Sequence, residues 1–170
     1  MKLEKRQLAV IIAAIVLFMA GFVGEWMITH PAEAEGMTAW VICQPGDYVN
    51  VRMKPTTRCD SIGRRECGDM VITDGKERNG FVHVVDLALE NDEGWIHSGY
   101  IVYGQVREIG GQPYTVQANG KVQARKYVDG PRRSWLKPGA EIVVYYTGGG
   151  WAVTNRGFIK SEFLEVKNDD

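Results

Sequence analysis

Tyr48-Val49-Asn50-Val51-Arg52 opens, and Gly94-Trp95-Ile96-His97-Ser98-Gly99-Tyr100-Ile101 closes, the stretch whose reading decides the fold. The stretch recurs in degraded form about seventy residues later, and repetition on that scale takes precedence over any local motif. Val49-Asn50-Val51-Arg52 falls on Val122-Gln123-Ala124-Arg125, and Gly68 with Met70-Val71-Ile72 falls on Gly139 with Ile142-Val143-Val144. Gly80-Phe81-Val82 falls on Gly150-Trp151-Ala152, Gly94-Trp95-Ile96 on Gly157-Phe158-Ile159, and Tyr100-Ile101 on Phe163-Leu164. Ordered anchors of this kind describe two copies of one small all-β unit.

Within the first copy, Trp40-Val41-Ile42-Cys43 is a short apolar run stopped by the turn residues Gln44-Pro45-Gly46-Asp47. Tyr48 to Arg52 returns as a strand, with Val49 and Val51 on one face and Asn50 and Arg52 on the other. Met53 to Cys67 is a polar excursion with too many breakers for a regular element. Met70-Val71-Ile72 and Phe81 to Val85 read as paired strands joined around Asp74-Gly75 and Asn79-Gly80. Leu87 to Glu93 reads as a hairpin tip before Trp95-Ile96, and Ser98-Gly99-Tyr100 as a tight turn before a last strand, Ile101-Val102-Tyr103. Five or six short strands separated by turns predict a small barrel rather than a sandwich.

The ordered set resembles the bacterial SH3-like (SH3b) domain family. The residues that carry the resemblance are Asn50-Val51-Arg52, Pro55, Ile62-Gly63, Gly68-Asp69-Met70-Val71, Gly80-Phe81-Val82 and Gly94 to Ile101. Met53-Lys54-Pro55 departs from the family in lacking a small residue before the proline. The second copy departs further, with Gln123-Ala124-Arg125 and Gly157-Phe158. The expected architecture is therefore all-β: a first SH3-like barrel over 37–104, a linker over 105–112, a second barrel over 113–166 and a charged tail over 167–170. In the second copy Tyr114-Thr115-Val116 is matched to Val41-Ile42-Cys43, which sets Cys43 on Val116. The tail is expected to leave no room for a catalytic domain.

A chain of 170 residues accommodates two such units behind an exported leader. Lys2, Lys5 and Arg6 precede the apolar run Leu8 to Val23, and Ala32-Glu33-Ala34 supplies a small-x-small site. Residues 1–34 thus read as a secretory signal peptide cleaved after Ala34, or as an uncleaved membrane anchor. Either reading places the remainder outside the cytoplasmic membrane. The formal charge of -1 argues against a nucleic-acid partner, which calls for a net basic face. The local basic pairs Arg125-Lys126 and Arg132-Arg133 read as solvated loop.

Three cysteines, Cys43, Cys59 and Cys67, leave a free thiol or one bridge plus a spare. Cys43 reads as a small buried hydrophobe, while Cys59 and Cys67 flank one loop and can bridge if their Cβ atoms face each other. Papain-like chemistry needs a thiolate at a helix start and an oriented imidazole. No helix is predicted behind any cysteine, and His97 occupies the variable slot after Gly94-Trp95-Ile96. No catalytic residue, metal or cofactor is expected.

Phe81, Trp95, Trp151 and Phe158 read as core, while Tyr48, Tyr100, Tyr103 and Tyr127 are surface candidates whose rings suit a peptide backbone or a sugar. The resemblance implies that the loop after Asn50-Val51-Arg52 borders the ligand groove. Tyr48, Asn50, Arg52 and Tyr100 are accordingly the expected binding residues. The expected function is non-catalytic adhesion to cell-wall peptidoglycan, chiefly its peptides, with a second copy adding avidity if the linker permits. The alternative is a membrane-anchored adaptor for an envelope or secretion-machinery protein.

Overall fold

The computed structural model describes residues 36–85 and 93–167. The expected leader over 1–34, the hairpin tip over 87–92 and most of the charged tail lie outside the described residues. No helix among the described residues is long and apolar enough to cross a membrane.

The first half forms β1 (Met37–Val41), β2 (Tyr48–Arg52), β3 (Ser61–Glu66), β4 (Met70–Arg78), β5 (Phe81–Val85), β6 (Glu93–His97) and β7 (Ile101–Val102). The second forms β8 (Arg107–Val116), β9 (Val122–Arg125), β10 (Arg132–Leu136), β11 (Glu141–Gly148), β12 (Trp151–Thr154), β13 (Gly157–Lys160) and β14 (Leu164–Val166). They assemble as two seven-stranded sheets ordered β3-β2-β6-β5-β4-β1-β7 and β10-β9-β13-β12-β11-β8-β14. The two orders correspond strand for strand. The single 3₁₀ turns Ser98–Tyr100 and Ser161–Phe163 occupy matching places before the last strand of each half.

Local chemistry accounts for the turns. Asn79 and Gly80 take φ of 53° and 75°, and Gly149 and Gly150 take 55° and 78°, the paired positive values that a tight hairpin matching the strand twist demands. Period-two burial then builds each core: Val49 and Val51 point inward from β2, and Val122 and Ala124 from β9. Val71, Val82, Val84 and Ile96 complete the first core, and Ile142, Val144, Ala152 and Ile159 the second.

Four expectations change. The polar excursion contains β3, which pairs along β2 from Tyr48–Glu66 to Arg52–Ser61. Its side chains show no apolar alternation, so backbone pairing with β2 supplies what sequence periodicity does not reveal. β10 plays the same part beside β9, and places Arg132 and Arg133 in a strand instead of a loop. Of the segment read as linker, residues 107–112 belong to β8, and Gly110 and Gly111 at φ of 75° and 87° sit where its pairing with β11 shifts register. The cysteine match also moves by two residues. Gly68 N–H donates to Val41 O and Gly139 N–H to Val116 O, both at 2.8 Å, so Val41 corresponds to Val116 and Cys43 to Ala118. The shift is by an even number, so Cys43 keeps its inward face.

A third apolar cluster joins the two sheets. Ile42 and Val102 from the first half pack with Trp151, Val153 and Phe158 from the second. Val128 N–H donates to Gly99 O at 3.0 Å across the same junction. Phe81, Trp151 and Phe158 are buried as expected, whereas Trp95 is only half-buried and lies against the His83 ring at 4.7 Å.

Candidate functional site

β2 places Tyr48, Asn50 and Arg52 on the face opposite Val49 and Val51. The 3₁₀ turn after β6 brings Tyr100 toward the same side, and all four line one groove of about 370 Å³. Asp47, Phe81 and His97 from the first half also line it, and Tyr127, from the loop between β9 and β10, forms part of the wall. The groove is thus shared between the two halves of the chain.

The four residues differ in how free they are. Tyr48 is 48% exposed, and the Arg64 guanidinium lies 4.1 Å from its ring centroid. Arg52 donates from Nη1 to Cys59 O at 2.7 Å, so its guanidinium holds the loop that follows β2. Arg125 repeats the device with Gly130 O, also at 2.7 Å. An arginine at this position therefore has a structural duty in both halves. Tyr100 is half-buried between His97 and Tyr127, at 5.8 and 5.7 Å between ring centroids, and burial, helped by Tyr127, pushes its phenol up.

His97, read from sequence as an idle variable position, caps the 3₁₀ turn. Its Nδ1 accepts from Gly99 N–H at 3.1 Å, which leaves the ring proton on Nε2. Burial pushes its pKa down, favouring the neutral ring. Its ring meets Phe81 at 5.4 Å and Tyr127 at 4.9 Å, both edge to face. Tyr127 was legible only as a surface aromatic; its approach to Gly99 and His97 is a long-range contact with no local signal. The groove as a whole offers aromatic faces, one amide (Asn50) and one carboxylate (Asp47).

Cys43 also borders the groove, but its thiol points to Asp47 O at 3.5 Å. The neighbouring Cys67 sulfur, together with burial, pushes this thiol far up, away from the thiolate that nucleophilic catalysis uses. Among the described residues no thiol is hydrogen-bonded to an imidazole, and no cluster of three His, Cys, Asp or Glu side chains could hold a metal.

The second half carries a groove in the corresponding place. Arg52 pairs with Trp95, and Arg125 with Phe158, which fixes the correspondence between the sheets. Lys121, Gln123, Lys160 and Phe163 then stand where Tyr48, Asn50, His97 and Tyr100 stand in the first. All four line an open groove of about 1040 Å³, together with Trp135 and Glu162. Trp135 is 47% exposed, with the Arg132 guanidinium 4.9 Å from its ring centroid. Two neutral aromatic positions have become lysines, so the second groove is basic where the first is not.

No family model and no curated protein matches the chain. Solved structures with a likeness to it include NlpC1 from Trichomonas vaginalis, at 16% identity and TM-score 0.31, covering 78% of this chain and 46% of that one. NlpC2 from the same organism gives 15% identity and TM-score 0.33, covering 82% and 52%. The CBD of endolysin LysPBC5 gives 13% and 0.29, covering 80% of this chain and 96% of that one. The chain therefore spans about half the length of the two NlpC proteins.

Proposed function

We propose that the chain is a non-catalytic, extracytoplasmic binding protein whose two SH3-like barrels adhere to cell-wall peptidoglycan through its peptides. The observation that carries the reading is the convergence of Tyr48, Asn50 and Tyr100 on one aromatic-walled groove beside Asp47. Aromatic faces pack on an extended peptide, the Asn50 amide can pair with its backbone, and Asp47 can receive an amine. Arg52 holds the groove's rim through Cys59 O and is not the principal ligand contact. In the second groove, Lys121 and Lys160 suit a peptide carboxylate, with Trp135 as a flat platform. The two grooves thus accept opposite ends of peptide chemistry.

The test is co-sedimentation of the full chain with purified sacculi. Binding well above that of a neutral control protein is expected, and Tyr48→Ala, at an exposed position that folding does not need, should weaken it about tenfold, as loss of an aromatic contact of 1–2 kcal/mol would. Sedimentation no greater than the control would overturn the reading.

A further inference from the structure

We propose that Cys43 and Cys67 form a redox couple that closes as an intramolecular disulfide, leaving Cys59 as the spare thiol. Sequence proximity favours Cys59 with Cys67, but the fold separates them by function. The Cys59 thiol donates to Lys54 O and Thr56 O, both at 3.4 Å, inside its own loop. Cys43 and Cys67 are 24 residues apart in sequence yet adjacent in space: Cys43 N–H donates to Cys67 Sγ at 3.3 Å. The neighbouring backbone bonds, Gly68 N–H to Val41 O at 2.8 Å and Val41 N–H to Asp69 O at 2.8 Å, hold the two segments side by side. Bridging needs little backbone movement from such a start.

The two sulfurs are also chemically unequal. Cys43 is 2% exposed, and its thiol faces Asp47 O at 3.5 Å, where a proton is held. Cys67 is half-buried, and the hydrogen bond it receives from Cys43 lowers its pKa against the opposing effect of burial. Cys67 is thus the attacking sulfur and Cys43 the resolving one. The oxidant is a low-molecular-weight disulfide such as oxidised glutathione. The Cys67 thiolate attacks one donor sulfur, breaking the donor S–S bond and releasing one donor thiolate. Cys43 then loses its proton and attacks Cys67 Sγ, which forms the protein S–S bond and expels the second donor thiolate. Two cysteine thiols lose two electrons in all, the donor gains them, and the two cysteine protons end on the two donor thiols.

The bond would join the loop after β1, where Cys43 borders the first groove, to Cys67, which packs against both the first core and the junction cluster. The experiment treats the reduced full chain with oxidised glutathione, then denatures it in N-ethylmaleimide and maps its peptides by mass spectrometry. A Cys43–Cys67 cross-linked peptide is expected, with maleimide on Cys59 alone. Cys59→Ser should cross-link as readily as the parent and take up no maleimide, and Cys43→Ala should retain glutathione on Cys67. Oxidation of the unfolded chain should scramble the pairings, because the selectivity comes from the fold. Three alkylated cysteines in the oxidised parent, or a bridge that includes Cys59, would overturn the proposal.

Discussion

Tyr127 shows how much a single side chain can carry here. Its ring lies between Gly99 and Gly130, and a Cβ built on either glycine would come within 2.5 Å of a ring carbon. Both glycines are needed for close approach, not for turn geometry. Gly99→Ala should therefore expel the Tyr127 ring from the junction and destabilise the protein by about 1–3 kcal/mol in urea unfolding. In a Tyr127→Ala background the same change should cost far less, since the clash is gone. Equal cost in both backgrounds would show that the ring is not what the glycine accommodates. At this scale the sequence was legible in part. The outward set Tyr48, Asn50, Arg52 and Tyr100 follows from strand alternation and does share a groove. The bond from Arg52 to Cys59 O was not legible, because a side chain's preference for a nearby carbonyl leaves no periodic trace. The nearness of Cys67 to Cys43 was not legible, because chain separation is a poor guide to distance in a sheet where β1 pairs with β4 and β7.

The β4–β5 hairpin is held by side chains at its bulge as well as by its ladder. Pairing shifts register between Thr73 and Glu77, and Asp74 in that interval meets Lys76 and His83 Nδ1, the latter at 3.0 Å. Burial alone would raise the Asp74 pKa, but hydrogen bonds from Lys76 and His83 outweigh it and hold the carboxyl at about 2, below its ordinary 3.8. A carboxylate depressed in the folded state adds stability that is complete above its ordinary pKa. That stability is lost as pH falls through the interval from 3.8 to about 2. Its loss should amount to about 1–2 kcal/mol in unfolding free energies measured across this interval, and Asp74→Asn should remove that slope. An unchanged slope in the variant would assign acid sensitivity to another group. The bulge itself was not legible: Asp74-Gly75 reads as a hairpin turn, and only the Asn79-Gly80 pair, with positive φ at both residues, reverses the chain. β3 and β10 were missed for a related reason, since a strand that pairs through its backbone and faces water carries no apolar rhythm.

Across the whole molecule, the cluster containing Ile42, Val102, Trp151, Val153 and Phe158 makes the two sheets mechanically dependent. Trp151→Ala should cost about 3–5 kcal/mol, as for other buried tryptophans. Because that side chain serves the junction, the loss should lower the stability of both sheets together. Circular dichroism and tryptophan fluorescence should then report one coincident unfolding transition, and two separated transitions in the parent protein would refute the dependence. Closing the Cys43–Cys67 bond should add about 3 kcal/mol by constraining the unfolded chain, read as a higher urea midpoint in oxidised than in reduced protein. The duplicated pattern of strands was visible from the outset because each copy is written in local turns and alternation. Their union was not, because the residues that join them are ordinary core residues until a partner is known. The backbone bond from Val128 to Gly99 turns that union into a calliper. On the proposed function, the reach between the aromatic groove and the basic one is set by the protein, so a meshwork whose attachment points are stretched or crowded away from that gauge would be gripped by only one jaw at a time.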